Sequence, residues 1–82
     1  MRIEVFGTGC PKCNMLEANV RKVLKELGVK AEVVKVTSID EMVERGLMAL
    51  PALVIDGELI VAGRVPSTAE IRELVRTRAT VG

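Results

Sequence analysis

Hydrophobic and polar positions alternate over the first residues of the chain. Residues 2–6 follow this two-residue period, and two glycines and a threonine come directly after them at residues 7–9. This pattern predicts a strand that runs into a flexible loop. Residues 31–36 are rich in β-branched side chains, which predicts a second strand.

The second half of the chain predicts a hairpin. Pro51 opens an apolar run at residues 52–55, and a further apolar segment follows at residues 58–62. Between them stands Asp56-Gly57, a dipeptide that favours the two positive-φ positions of a tight turn. We therefore expect these two segments to form antiparallel strands.

A long helix is predicted between the first two strands. Pro11 suits the first helical position, where the missing N–H leaves no helical hydrogen bond unmade. Apolar residues then recur at three- and four-residue steps, and Gly28 is typical of the residue that ends a helix. The predicted buried face comprises Cys13, Leu16, Val20, Val23, Leu24 and Leu27.

Two further helices are predicted from capping patterns. Ser38 and Ser67 each stand three residues before a glutamate, which is the spacing of a capping box. The first of these helices is expected to run from about Ile39 to Arg45 and to stop at the glycine that follows. The second is expected to end near Arg78, with residues 80–82 frayed.

The order of these elements is β-α-β-α-β-β-α. Two strands joined through a helix pair in parallel by a right-handed crossover, so we expect a parallel pair followed by an antiparallel hairpin. The predicted fold class is α/β, with one four-stranded mixed sheet covered by helices. A chain of 82 residues is too short to divide its buried surface between two cores, which predicts a single domain over residues 1–82.

The composition argues against several classes of function. Twelve basic and eleven acidic residues give a formal charge of +1, and Phe6 is the single aromatic residue, so nucleic acid would find neither a basic stripe nor a stacking platform. The apolar run at residues 47–55 is far shorter than the roughly 20 residues that cross a bilayer. The strand pattern begins directly after Met1, without the pattern of a signal peptide. We expect a cytoplasmic monomer that carries no cofactor and binds neither nucleic acid nor membrane.

Two cysteines, Cys10 and Cys13, stand where the first strand leads into the long helix. At the N-cap, the Cys10 sulfur would face backbone N–H groups whose partial positive charge favours the thiolate, the species that attacks disulfides. Cys13 would lie one turn deeper on the same face, close enough to form a disulfide with Cys10. We predict that both are catalytic. Pro11 and Lys12 are predicted to tune them, Lys12 by less than about 1 kcal/mol.

Alternative functions stay open for this pair. A structural disulfide would close a loop of only four residues, which restrains the unfolded chain by roughly 2 kcal/mol, and cytosolic glutathione would act against it. A metal-transfer module could bind copper(I) through two sulfurs, whereas zinc needs four ligands and the chain has no histidine and no third cysteine. A redox sensor would use the same disulfide without turnover.

Three motifs occur together, and they are Gly7-Thr8-Gly9-Cys10-Pro11-Lys12-Cys13, Leu50-Pro51 and Asp56-Gly57. With them, nearly the whole chain resembles the small thioredoxin-like redox-active disulfide proteins of the thioredoxin and glutaredoxin superfamily. The resemblance implies an oxidoreductase that reduces or exchanges disulfides in protein substrates, with Cys10 attacking and Cys13 resolving. It also implies a cis peptide bond before Pro51, facing the disulfide. Such a bond would turn the Leu50 backbone outward, where an extended substrate could pair with it.

The resemblance also implies substrate-binding positions. Gly63 resembles the glycine at which glutaredoxins let a substrate or glutathione backbone come close, although a glycine at a strand end also suits a turn. Gly9, Leu50 and Gly63 are the predicted substrate-binding residues. Residues 48–50 could form an apolar lip beside the site or could belong to the core.

Two departures from the thioredoxin pattern concern the electron donor. Gly9 stands where thioredoxins usually have a tryptophan, and Pro11-Lys12 is closer to the glutaredoxin pattern. Glutathione and a flavoprotein reductase of the thioredoxin-reductase type are therefore both candidate donors. No residue is identified from the sequence as the buried carboxylate that assists proton transfer in thioredoxins.

Overall fold

A computed structural model describes residues 1–9 and 11–80, with the backbone alone at residues 79 and 80. Cys10, Val81 and Gly82 lie outside the described residues. The elements follow the predicted order β-α-β-α-β-β-α. They are β1 (Arg2–Phe6), α1 (Pro11–Leu27), β2 (Glu32–Val36), α2 (Ile39–Glu44), β3 (Ala52–Ile55), β4 (Glu58–Ala62) and α3 (Thr68–Thr80).

Element boundaries differ from the predicted ones by one or two residues. β2 begins at Glu32, one residue later than predicted, and α2 ends at Glu44, with Arg45 as its C-cap. α3 continues to Thr80, two residues beyond the predicted end. The prediction of a frayed terminus lies outside the described residues at positions 81 and 82. Element ends are where local sequence determines structure least.

The local turn and capping signals act as predicted. The Ser38 hydroxyl accepts a hydrogen bond from the Glu41 amide at 3.3 Å, and the Ser67 hydroxyl accepts one from the Glu70 amide at 3.2 Å. Asp56 and the glycine after it have φ values of 50° and 83°, as a tight hairpin requires. The two serine contacts mark where α2 and α3 begin, and the Asp56-Gly57 turn joins β3 to β4.

The four strands form one mixed sheet in the order β2-β1-β3-β4. β1 and β2 are parallel, whereas β1 pairs with β3, and β3 with β4, in antiparallel fashion. Phe6 at the end of β1 lies opposite Ala52 at the start of β3. Residues that follow β1 and residues that precede β3 therefore meet at the same end of the sheet.

One face of the sheet is covered by α1 and α3. Ile3 and Val5 of β1 belong to the apolar cluster on this face and are completely buried. The predicted buried face of α1 is confirmed, except that Leu27 is only partly buried. The other buried members of the cluster are Leu16, Val20, Val23, Leu24, Leu53, Ile55, Val61, Ile71 and Val75.

The other face of the sheet is covered by α2. Its smaller cluster of buried side chains consists of Phe6, Val36, Met42, Ala52 and Val54. Glu4 is also buried here, with 3% of its surface exposed. The Arg45 guanidinium donates to both Glu4 carboxylate oxygens at 3.3 and 2.9 Å, and it lies 5.4 Å from the centre of the Phe6 ring. One arginine therefore satisfies the buried carboxylate and fixes the end of α2 on the sheet.

Candidate active site

The candidate site lies where β1 ends and α1 begins. The Gly7 amide donates to the Val36 carbonyl at 3.0 Å and so extends the β1–β2 ladder by one residue. Gly9 has a φ of 88°, which turns the chain back toward α1, and α1 starts at Pro11. Cys10, between them in the sequence, lies outside the described residues, so its N-cap position stays a prediction.

Cys13 lies in the first turn of α1 and is completely buried. It packs directly against Gly7, since a methyl group placed on Gly7 would overlap the Cys13 sulfur and lie 2.6 Å from its Cβ. Gly7 is buried, and its φ is not positive. The glycine is therefore required by the space that Cys13 occupies, rather than by backbone conformation.

The first turn of α1 carries positive but no negative charge. It contains no acidic residue, and Pro11 and Lys12 are both exposed. The unpaired N–H groups at a helix start contribute partial positive charge at the same place. A thiolate next to this turn would therefore not be repelled by any carboxylate of the first turn.

Pro51 and Gly63 are brought together at the same end of the sheet. The Leu50-Pro51 peptide bond is cis, as the family resemblance implied. Pro51 is buried, and its carbonyl accepts a hydrogen bond from the Gly63 amide at 2.9 Å. Gly63 has a φ of 85°, and a Cβ there would lie 3.1 Å from the Cβ of Ala49. Gly63 therefore acts as a turn residue that packs closely against the loop before Pro51. Its role in binding substrate stays a prediction.

Residues 48–50 divide between surface and core. Met48 is 96% exposed, and Ala49 is also exposed. Leu50 is half-buried and packs against the cluster on the α2 face. The apolar-lip interpretation therefore suits Met48 and Ala49, whereas Leu50 belongs partly to the core.

A chain of polar contacts leads from β2 to the site. The Lys35 ammonium donates to the Asn14 side-chain oxygen at 2.9 Å, and the Asn14 side-chain nitrogen donates to the Gly9 carbonyl at 3.5 Å. Lys35 also lies 3.4 Å from a carboxylate oxygen of Glu17. Hydrogen bonds from Arg21 and then from Lys35 lower the pKa of the Glu17 carboxyl below its ordinary value. Glu17 is therefore anionic at neutral pH and holds Lys35 at the surface of α1.

Sequence reasoning missed three features of this region. Gly7 lies in the predicted flexible loop, although a glycine at the end of a strand and six residues before Cys13 could have suggested close packing. Glu4 occupies a polar position of an alternating strand and is nevertheless buried, which its hydrogen bonds from Arg45 make possible. The contacts of Lys35 and Asn14 depend on how α1 crosses β2, and no local pattern reports that crossing.

No described element provides an obvious second centre for chemistry. A groove of about 360 Å³ lies at the far end of α1 and contains none of the predicted site residues; its lining includes Leu24, Lys25 and Val33. Among residues 1–9 and 11–80, no group of three metal-binding side chains is found. In the same residues, no helix is both long and apolar enough to cross a membrane. The absence of a cofactor stays a prediction.

Sequence and structure comparisons agree on one group of relatives. A family model for the thioredoxin domain matches residues 1–76. A thioredoxin from Methanothermobacter thermautotrophicus is 49% identical over 75 residues, covering 92% of this chain and 97% of the relative. A thioredoxin from Methanocaldococcus jannaschii is 43% identical over 75 residues, covering 92% of this chain and 86% of the relative. Thioredoxin 1 from Thermosipho africanus superimposes with a TM-score of 0.69 at 19% identity, covering 99% and 97% of the two chains, which confirms the predicted fold.

Proposed function

Since the chain belongs to the thioredoxin family and is a thiol–disulfide oxidoreductase, as the sequence predicted, we propose that Cys10 is its attacking cysteine and Cys13 its resolving cysteine. Family membership implies protein disulfides as substrates and a reductase as partner in general. The same relatives do not favour a metal-transfer module or a sensor without turnover.

Burial of Cys13 is the observation that carries this assignment. The Cys13 sulfur is completely buried against Gly7, so the disulfide of a folded protein could not reach it. The chain has two cysteines, and the attacking role therefore falls to Cys10. The helix start and Lys12 both favour the thiolate that attack requires.

The proposed reaction consists of two disulfide exchanges. The Cys10 thiolate attacks one substrate sulfur, a bond forms between these two sulfurs, and the other substrate sulfur leaves as a thiolate and takes a proton. Cys13, once deprotonated, then attacks the Cys10 sulfur and displaces the substrate sulfur that was bonded to it, which leaves as a thiolate and is also protonated. The substrate disulfide has gained two electrons, and the protein holds a Cys10–Cys13 disulfide.

Insulin-disulfide reduction with dithiothreitol tests the roles of the two cysteines. We expect Cys10→Ser to abolish the catalysed reaction. Reduced Cys13→Ser, mixed with insulin in the absence of dithiothreitol, should still attack but should accumulate as a mixed disulfide with insulin, which mass spectrometry detects. If Cys13→Ser reduced insulin at the wild-type rate, or if Cys10→Ser formed the trapped adduct instead, the assigned roles would be wrong.

The electron donor is tested by supplying one donor at a time. Either glutathione with its reductase or a flavoprotein thioredoxin reductase could return the disulfide to the dithiol. NADPH consumption in the presence of insulin would be measured for both systems at the same protein concentration. The Pro11-Lys12 pair supports the glutathione system, whereas the family match supports the flavoprotein reductase. The faster system identifies the donor.

We also propose one domain over residues 1–82, acting as a cytoplasmic monomer with Gly9, Leu50 and Gly63 beside the bound substrate. The family match over residues 1–76 and the continuous four-stranded sheet support the single domain. Light scattering coupled to size exclusion should give a mass near 8.9 kDa. A mass of twice that value would contradict the monomer, and cell fractionation tests the location.

A further inference from the structure

The contacts of Lys35 and Asn14 form a continuous path that ends at the site. Lys35 is on β2, opposite Val5 in the parallel register, and Asn14 is the residue that follows Cys13 on α1. Their 2.9 Å hydrogen bond joins these two elements across the surface of the molecule. Asn14 then reaches back to the Gly9 carbonyl. This carbonyl belongs to the peptide group whose nitrogen is that of Cys10.

The arrangement of donors and acceptors gives this path a direction. A charged ammonium donates to the Asn14 oxygen, which polarises the amide and makes its N–H groups stronger donors. At 3.5 Å the last contact is at the long limit of hydrogen bonding, so it depends on that polarisation. Gly9 has a φ of 88°, and no heavy atom lies within 4 Å of the position that a Cβ would occupy there. Among the described residues, the Asn14 side chain supplies a hydrogen bond to the Gly9 carbonyl.

From this geometry we infer that Lys35 and Asn14 are positioning residues for the attacking cysteine. They orient the peptide that joins Gly9 to Cys10, and Lys35 adds a positive charge from β2. Neither residue touches the substrate in this proposal. The inference rests on the proposed role of Cys10 and adds the means by which its loop is held.

The alkylation rate of Cys10 measures this positioning directly. Reduced protein would be treated with iodoacetamide at pH 7, and mass spectrometry would confirm that Cys10 is the modified residue. We expect Lys35→Met and Asn14→Leu to slow alkylation by about threefold, the factor that a partly exposed charge interaction commonly supplies. Lys35→Arg, which keeps the charge and the donor, should restore most of the rate.

Lys30→Met is the matched control. It removes the same charge just before the other end of β2, where Lys30 is exposed and makes no ion pair with any described residue. Its alkylation rate should equal that of the wild type. Equal rates for Lys35→Met and Lys30→Met would overturn the inference, as would a Lys35→Met protein that loses stability in urea but keeps the wild-type rate.

Failure of the inference can be told apart from failure of the proposed function. If neither the wild-type protein nor Cys10→Ser catalysed insulin reduction, the proposed role of Cys10 would be wrong. If wild-type protein reduced insulin through Cys10 while Asn14→Leu and Lys35→Met kept the wild-type alkylation rate, only the positioning role would be wrong.

Discussion

The two faces of the sheet differ in how their helices are held. α1 and α3, of 17 and 13 residues, pack against one face through a large apolar cluster, and their ion pairs lie at the rim. α2 has only 6 residues and covers the other face with a smaller cluster. There the ion pair of Glu4 with Arg45 is central, and the Glu4 side chain is 4% exposed.

This difference follows from helix length. A long helix presents several turns of apolar residues to the sheet, and their burial stabilises it without polar contacts. A helix of 6 residues presents Met42 as its one buried residue. A charge-assisted contact from its C-cap to the sheet supplies the remaining restraint. The helix that carries Cys13 therefore packs on the apolar face, and the polar restraint lies on the opposite face.

The largest expected effect is loss of apolar contact on the α1 face. Leu16→Ala should lower the free energy of unfolding by about 3–4 kcal/mol, because Leu16 is completely buried beneath a long helix. Met42→Ala on the α2 face should cost about 2 kcal/mol, since Met42 is 4% exposed and a short helix can adjust to the cavity. Urea unfolding measures both values. Equal losses would contradict the difference between the faces.

The next largest effect concerns the buried ion pair. Arg45→Met should lower the free energy of unfolding by about 2–3 kcal/mol, because it leaves the Glu4 carboxylate buried without its partner. Glu4→Gln should cost about 1 kcal/mol, since Arg45 is partly exposed and can be hydrated. Urea unfolding at pH 7 tests this asymmetry. If Glu4→Gln were the more damaging of the two, the pair would not be held as described.

Gly7→Ala tests how tightly the sheet end is packed against α1. The added methyl overlaps the Cys13 side chain, so the start of α1 must shift, at a cost of about 2 kcal/mol. A displaced resolving cysteine should lower the rate of insulin reduction by about tenfold or more. Gly57→Ala is the control, because its φ of 83° gives strain of about 1 kcal/mol while nothing within 4 Å is displaced. Wild-type activity in Gly7→Ala would contradict the packing.

The smallest effect is expected from an ion pair at the rim of the α1 face. The pKa of Glu17 is lowered in the folded protein by its hydrogen bonds to Arg21 and Lys35, from an ordinary value of 4.5. Its stabilisation, below about 1 kcal/mol, is therefore present above that value and is lost as the pH falls through the lower folded pKa. The stability difference between wild type and Glu17→Gln should be measurable at pH 7 and smaller at pH 3, because protonation of Glu17 removes it.

Glu44→Gln is the control for this pH dependence. Glu44 is exposed on α2 and forms no ion pair with another described residue, and the substitution changes the charge in the same way. Its stability difference from wild type should be small at both pH values. If Glu17→Gln showed the same small difference at pH 7, the contacts with Arg21 and Lys35 would contribute nothing to stability.

Local patterns were enough to predict the elements of this fold. The capping serines, the Asp56-Gly57 turn and the apolar steps of α1 each act within a few residues, so they can be recognised without knowing the tertiary structure. The family resemblance supplied the cis bond before Pro51. Contacts between distant residues could not be obtained in this way. Glu4 and Arg45 are 41 residues apart, and each looks like an ordinary surface residue in its own segment.

The close fit between Gly7 and Cys13 has a consequence for how the protein's internal motions can be observed. A small thiol reagent reaches the Cys13 sulfur only when α1 separates from the end of β1. The labelling rate of Cys13, with Cys10 replaced by serine, therefore reports how often this part of the molecule opens. Cys13 is therefore a built-in probe of local unfolding next to the candidate active site.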